Sequence, residues 1–418
     1  MIKRIEKLLK ELKLDTYLIR EEQVSSAELF FVKKALDMRR MKDVQQASVT
    51  VYRDEETEKG KMRGSSDALL TPDMDDEEMK EALQEAYASA GNALNPWFSL
   101  YEGKKEAKKE EVCGSITDLA MAFSKALFDA DVRTDAFMNS AEFFAEKEDV
   151  HIVSSEGTDV SYVSVKTEGE FVVQCKEPRD VEQHFSFEYN DADTSALYEK
   201  AKQALNTVAD RARAEKAPKA GNYNIILSGE NVSEILSLYL FRANAAYVYS
   251  RYSNYETGMN IQGETDKGEA LKLSLLPREP YSGEGIPMTK REFVKDGVLQ
   301  FIHGNNRFCK YLGIEPTGMY EKVACDNGTV PFDEMKQGCL YPVSFSDFQM
   351  DPFSGHFMGE MRLAYYYGEN GVEILTGGSI NGSLLDRQQK LVFSGERYKD
   401  ADYEGPLAVR IDDVAVAG

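Results

Sequence analysis

The sequence predicts an α+β fold: an α+β first domain over residues 1–215, then a β-rich second domain over residues 221–418. Three observations carry this. Helical periodicity opens the chain and returns near 71–91, 116–131 and 193–213. Two-residue alternation dominates from Arg133 to Tyr189 and again through most of the second half. Between them KAPKAG (Lys216 to Gly221) breaks both patterns and ends a long alanine-rich helix, so the domain boundary is placed there.

Each element follows from its residues. In MIKRIEKLLKELKLD, Ile2, Ile5, Leu8, Leu9 and Leu12 recur at helical spacing. A short strand is expected at Tyr17 to Ile19, and SVTVYR (Ser48 to Arg53) alternates as another. The helix in Thr71 to Gly91 has acids in its first turn, where the helix dipole favours them, and Gly91 is its stop. Residues 101 to 111 are nearly all polar and read as a loose linker. Its basic cluster KKEAKK (Lys104 to Lys109) is interleaved with Glu106 and flanked by Glu110 and Glu111. Ile116 to Asp131 is a second helix, with Thr117 or Asp118 as its cap. VSYVSVKTEGEFVVQCKE (Val160 to Glu177) reads as a hairpin turning at Glu168-Gly169. Asp193 to Arg213 is a helix with an apolar stripe from Leu197 to Ala212.

The second half opens with strand YNIILS (Tyr223 to Ser228) and a helix in GENVSEILSLYLFRAN (229 to 244). Asn231 is read as its cap, and Glu234 three residues later completes a capping-box spacing. Met288 to Gly304 reads as two strands joined at Asp296-Gly297, a tight-turn pair. Glu360 to Gly378 repeats that logic around Glu369 to Gly371, and Pro406 to Gly418 closes as a strand.

Composition excludes several function classes. A net charge of −22 repels phosphate backbones, so no nucleic-acid partner is expected. No run of 18 apolar residues exists, so no membrane span is expected either. Cys113, Cys175, Cys309, Cys325 and Cys339 are odd in number and scattered, which suits neither a disulfide framework nor a zinc finger. A cytoplasmic location is expected.

Catalytic motifs do not announce themselves. The histidines His151, His184, His303 and His356 lie more than 30 residues apart, so no HExxH zinc pair exists. There is no GxSxG, and no catalytic residue or cofactor is assigned. The densest polar segment is DFQMDPFSGHFMGE (Asp347 to Glu360). Its Asp351, His356 and Glu360 are the remaining metal candidates, although their spacing matches no metal motif and turn or surface roles account for them. His303, in HGNN, is expected in a loop. Cys309, Cys325 and Cys339 have only His303 nearby in sequence as a partner for nucleophilic chemistry.

Several segments together resemble the TldD/PmbA family, whose PmbA branch is also called TldE. They are EGIPMTKREFVKDGVLQFIHGNNRFCKYLG (Glu284 to Gly313), SGHFMGEMRLAYYYGENGVEILTGGSINGSLLD (Ser354 to Asp386), the final GPLAVRIDDVAVAG and, more loosely, Asn139 to Tyr162. The resemblance implies a choice between two branches. TldD-type members are metallopeptidases carrying HExxxH and a cysteine ligand near the C-terminus. PmbA/TldE-type members lack these residues and pair with TldD around a peptide-degrading cleft. The family's label "modulator of DNA gyrase" reflects an indirect role and not DNA binding. Here the motif positions fall on Ser233, Glu234 and Leu238, and no cysteine follows Cys339. A hydroxyl and an aliphatic chain cannot replace two imidazole ligands. The resemblance therefore implies a non-catalytic subunit that positions extended peptide for a TldD-like metallopeptidase partner, or that pairs with itself as a homodimer. The alternatives are an atypical metal-dependent peptidase using Asp351, His356 or Glu360, and a stand-alone peptide-binding protein.

Overall fold

The computed structural model describes residues 1–107, 115–265 and 268–418. Cys113 and the end of the basic cluster, Lys108 and Lys109, lie outside the described residues. The α+β expectation holds, and no helix is long and apolar enough to cross a membrane among the described residues.

The predicted helices form close to their expected bounds. Helix α1 (Ile2–Leu12) buries Ile5, Leu8 and Leu9 completely. Helix α2 (Asp76–Ala90) begins with a capping box: Asp75 accepts from the Glu77 and Glu78 N–H groups at 2.9 Å each, and Glu78 accepts from the Asp75 N–H. Helix α3 (Ile116–Asp129) is capped by Ser115, two or three residues earlier than the Thr117 or Asp118 expected from the sequence. Ser115 has the extended backbone a cap needs, whereas Thr117 and Asp118 already lie in the first turn. Helix α4 (Ser195–Arg213) follows its predicted stripe.

The strands of the first half are longer than the alternation suggests. β1 (Tyr17–Val32) and β2 (Ala35–Thr57) form a long ribbon, continued by β3 (Gly60–Leu70). The outer part of β2, from Leu36 to Val44, is exposed on both faces. Its sequence therefore carries no burial-driven alternation, and only Ala47, Val49 and Val51 betray the strand.

β4 (Ala136–Ser154), β5 (Asp159–Cys175) and β6 (Val181–Tyr189) extend the sheet in the antiparallel order β3-β2-β1-β4-β5-β6, and two short strands join it, Asn95–Pro96 on β3 and Lys105–Ala107, inside the expected loose linker, in parallel on β5. The predicted hairpin at Glu168-Gly169 does not form, because β5 runs straight through it. Gly169 is there for close approach. A Cβ at that position would lie 2.1 Å from the Glu142 carbonyl oxygen and 2.7 Å from the Phe187 ring.

Helices α3 and α4 cover one face of this sheet around Phe123, Phe143, Phe171 and Phe187. Helices α1 and α2 cover its other end around Val49, Val51 and Leu83. The opposite face of β4 and β5 is polar and carries Glu146, Glu148, Lys166 and Glu168.

The second half builds two further sheets. In one, strands lie in the order Arg291–Lys295, Leu273–Leu276, Lys322–Cys325, Tyr403–Pro406, and Asp296 and Gly297 turn at φ 47° and 80° as the Asp-Gly pair predicts. The other contains β7 (Gly221–Ser228), β8 (Leu340–Met350), β9 (His356–Gly368), β10 (Gly371–Leu375), β11 (Ser379–Ser383) and β12 (Ala408–Ala417). Five of these close into a ring, β8-β7-β12-β11-β9 and back to β8. The closure is thin at one seam. β8 pairs with β7 only at Leu340 and Ile225, while β8 and β9 pair from Leu340 to Met350 through three register shifts. Helix α5 (Glu230–Arg242) lies in the core shared by both sheets, with Ile235, Leu236, Leu238 and Tyr239 fully buried.

Candidate functional site

Helix α5 carries the motif positions, and its geometry corrects the capping reading. The cap is Gly229, at φ 59°, in a conformation that a Cβ would strain. Asn231 already lies inside the helix, so no capping box exists. Glu234 instead reaches out of the helix, and its Oε1 accepts the Met350 N–H of β8 at 3.1 Å. Ser233 and Glu234 are half-buried and face open space, while Leu238 is completely buried in the second-half core.

The open space is a cleft between the two halves. A cavity of about 520 Å³ is bounded by β5 and β6 residues Glu168, Glu170 and Glu188, by Ser233 and Glu234 of α5, and by Asp400. A second cavity of about 370 Å³ adjoins it through Ser186, Lys200, Glu230 and Glu234. It runs between Gln183 to Ser186 of β6 and Val343 to Phe348 of β8. Ser344 Oγ donates to Gln183 Oε1 at 3.2 Å, which ties the two walls at one end.

The cleft is strongly acidic. Seven carboxylates border the larger cavity; among the described residues Lys200, Lys166 beside Glu168, and Arg278 are the lysines and arginines paired with them, and His184 lies 2.8 Å from Glu170. Arg278 spans the junction, binding Glu188 of β6 at 3.3 Å and Asp402 of the second half. Burial raises the Asp400 carboxyl above its usual range, although the Asp402 and Tyr403 N–H groups donate to it.

The three metal candidates do not converge. Asp351 sits in the β8–β9 turn, where Ser354 Oγ and the Phe353 N–H donate to it and hold its carboxyl below the usual range. His356 is exposed at the start of β9, and Glu360 accepts from Ser346 Oγ at 2.7 Å. Four residues along a strand separate His356 and Glu360 by about 13 Å. No group of three or more His, Cys, Asp or Glu is placed to hold a metal ion among the described residues. The motif helix does not fit a zinc site either. Among the motif positions Glu234 is the single possible donor, and that carboxylate already accepts a backbone N–H.

His303 lies in a connection, as expected, but is 1% exposed. Its Nε2 is 2.9 Å from the Leu240 carbonyl, and burial lowers its pKa to about 4. Burial pushes the Cys309 and Cys339 thiols up to about 11, and the Cys325 thiol up as well, the reverse of nucleophile activation. Sequence reasoning missed Lys200, Arg278 and the β6 wall of the cleft. No local pattern announces them, because they meet only through the packing of the two halves.

Residues 220–418 match the family model described as the PmbA/TldA metallopeptidase C-terminal domain. The likeness of this chain to the TldD/PmbA family rests on these residues. No curated protein matches the chain.

Solved structures show the same fold over the whole length. TldE from Thermococcus kodakarensis is 17% identical, with a TM-score of 0.76, covering 99% of this chain and 100% of its own. A candidate modulator of a DNA gyrase from Thermotoga maritima is 15% identical, with a TM-score of 0.78 and full coverage of both chains. Another from Bacteroides thetaiotaomicron is 15% identical, with a TM-score of 0.79, covering 100% of this chain and 98% of its own.

Proposed function

We propose that the chain is a TldE/PmbA-like, non-catalytic subunit that holds extended peptide for a TldD-like metallopeptidase partner. One observation carries the reading. The helix that bears the motif positions presents Ser233 and Glu234 to a cleft, while Leu238 is sealed in the core. The cleft is thus retained where two imidazoles are missing. The chain's own residues shape and charge the cleft; the metal chemistry belongs to the partner.

The test is reconstitution with a metallopeptidase that carries HExxxH. A stable complex by light scattering is expected, with peptide turnover that the separate chains lack. Glu234→Gln keeps an oxygen for the Met350 N–H, so it should leave turnover within about threefold, well under 1 kcal/mol. The reading is overturned if the chain alone retains close to one equivalent of zinc, iron or manganese after dialysis, loses it on His356→Ala, and cleaves peptide by itself.

A further inference from the structure

We propose that the cleft takes up an extended, lysine- or arginine-rich peptide as an added strand on the free edge of β6. This rests on the peptide-holding reading above and names the ligand class and the docking element.

β6 pairs with β5 along one side only, in unbroken register from Val181–Cys175 to Tyr189–Thr167. Among the described residues, no strand and no backbone group pairs with its other side. An edge strand has alternate N–H and C=O groups unpaired and is a template for another chain. Natural edges are usually blunted with proline, lysine or a bulge. VEQHFSFEY has none of these. It is not buried under another element either, because Gln183 to Glu188 open continuously on the two adjoining cavities. The facing wall is β8, whose near side is likewise unpaired by any strand beyond Leu340 among the described residues. An incoming strand therefore meets unpaired backbone on the β6 wall and, beyond it, the open cavities that α5 borders.

Charge selects the occupant. His184, Ser186 and Glu188 share one face of β6, and on β5 the same face presents Glu168 and Glu170. Side chains directly opposite on neighbouring strands have Cβ atoms about 5 Å apart. Every second side chain of an added strand thus stands beside His184, Ser186 and Glu188, with Glu168 and Glu170 one strand further off, about 10 Å away, and Asp400 and Asp402 bordering the same cavity. Glu168 and Glu170 are 38% and 50% exposed and already touch Lys166 at 3.0 Å and His184 at 2.8 Å, so an incoming cation competes with these partners in a hydrated setting. An acidic peptide would meet like charge at Glu188, Glu168, Glu170 and Asp400.

The experiment uses the full chain without a partner and measures fluorescence anisotropy with labelled ten-residue peptides. A peptide alternating lysine and threonine should bind at least about tenfold more tightly than one alternating glutamate and threonine, a difference of about 1.4 kcal/mol. N-methylation of alternate backbone nitrogens, in both registers, should weaken the lysine peptide by a similar factor in one register only. Glu168→Gln with Glu170→Gln should reduce affinity and flatten its salt dependence. Equal binding of both N-methylated forms and the parent would overturn strand addition and leave only charge attraction. Equal binding of the two charge types would overturn the cationic assignment. If no peptide binds but the chain still activates a metallopeptidase partner, this inference fails while the proposed function stands; if neither occurs, the proposed function fails as well.

Discussion

Burial without charge is the condition of His303. Its Nε2 faces the Leu240 carbonyl, and no carboxylate compensates a proton there. The folded form therefore refuses protonation until about pH 4, whereas the unfolded chain protonates near the ordinary 6.5. Stability from this group is present above pH 6.5 and is lost as pH falls through that window. Glu284 and Asp400, whose carboxyls are raised by burial, act in the opposite sense. A comparison of wild type with His303→Asn isolates the histidine: melts between pH 7 and 4 should show a shallower decline in the variant. Leu238 is simpler. It is fully buried, so Leu238→Ala should cost roughly 2–5 kcal/mol in a denaturant melt. Leu238 falls in the apolar run from Ile235 to Phe241, whose residue types alone mark a broad buried surface. Glu234 was not, because its partner is a backbone N–H 116 residues away, and a spacing rule for caps supplies a nearer but wrong one.

Elements were legible where one face is buried and illegible where both are exposed or both are packed. The stripes of α1 and α4 gave their helices directly, since solvent on one side and core on the other imprint a period of 3.6. The outer half of β2 carries no such imprint. At Glu168-Gly169 a glycine that signals a turn in sequence serves instead as clearance between strands. The prediction at this scale is that Gly169→Ala destabilises the β4–β5–β6 region by about 1–3 kcal/mol through overpacking. A thermal melt checks the cost. Loss of amide protection confined to β4 to β6 would place it there.

At the scale of the whole molecule, the two halves meet across carboxylates, and Arg278 is the cation that binds both walls, at Glu188 and Asp402. Arg278→Met should leave those two acids uncompensated. We expect a destabilisation of about 1–3 kcal/mol, shrinking as salt is raised because the repulsion is partly screened. Salt-titrated melts measure this. The cleft could not be read from the sequence, for its acids are drawn from residues 168 to 402 and acquire meaning only when the halves close on one another. The family likeness was legible because its segments in the second half are nearly continuous in the chain, and the matched model covers that half alone.

The closed ring of five strands has a further consequence, for the way the molecule breathes. A ring has no terminal strand to peel away, so an amide midway along β11 or β12 can meet solvent only when two seams part together. A strand held on one side needs only to fray. Deuterium should therefore enter β6 by small local fluctuations, within a time short beside that of the ring, where exchange waits for cooperative opening. The second half would keep its shape while the wall beside it stays pliable.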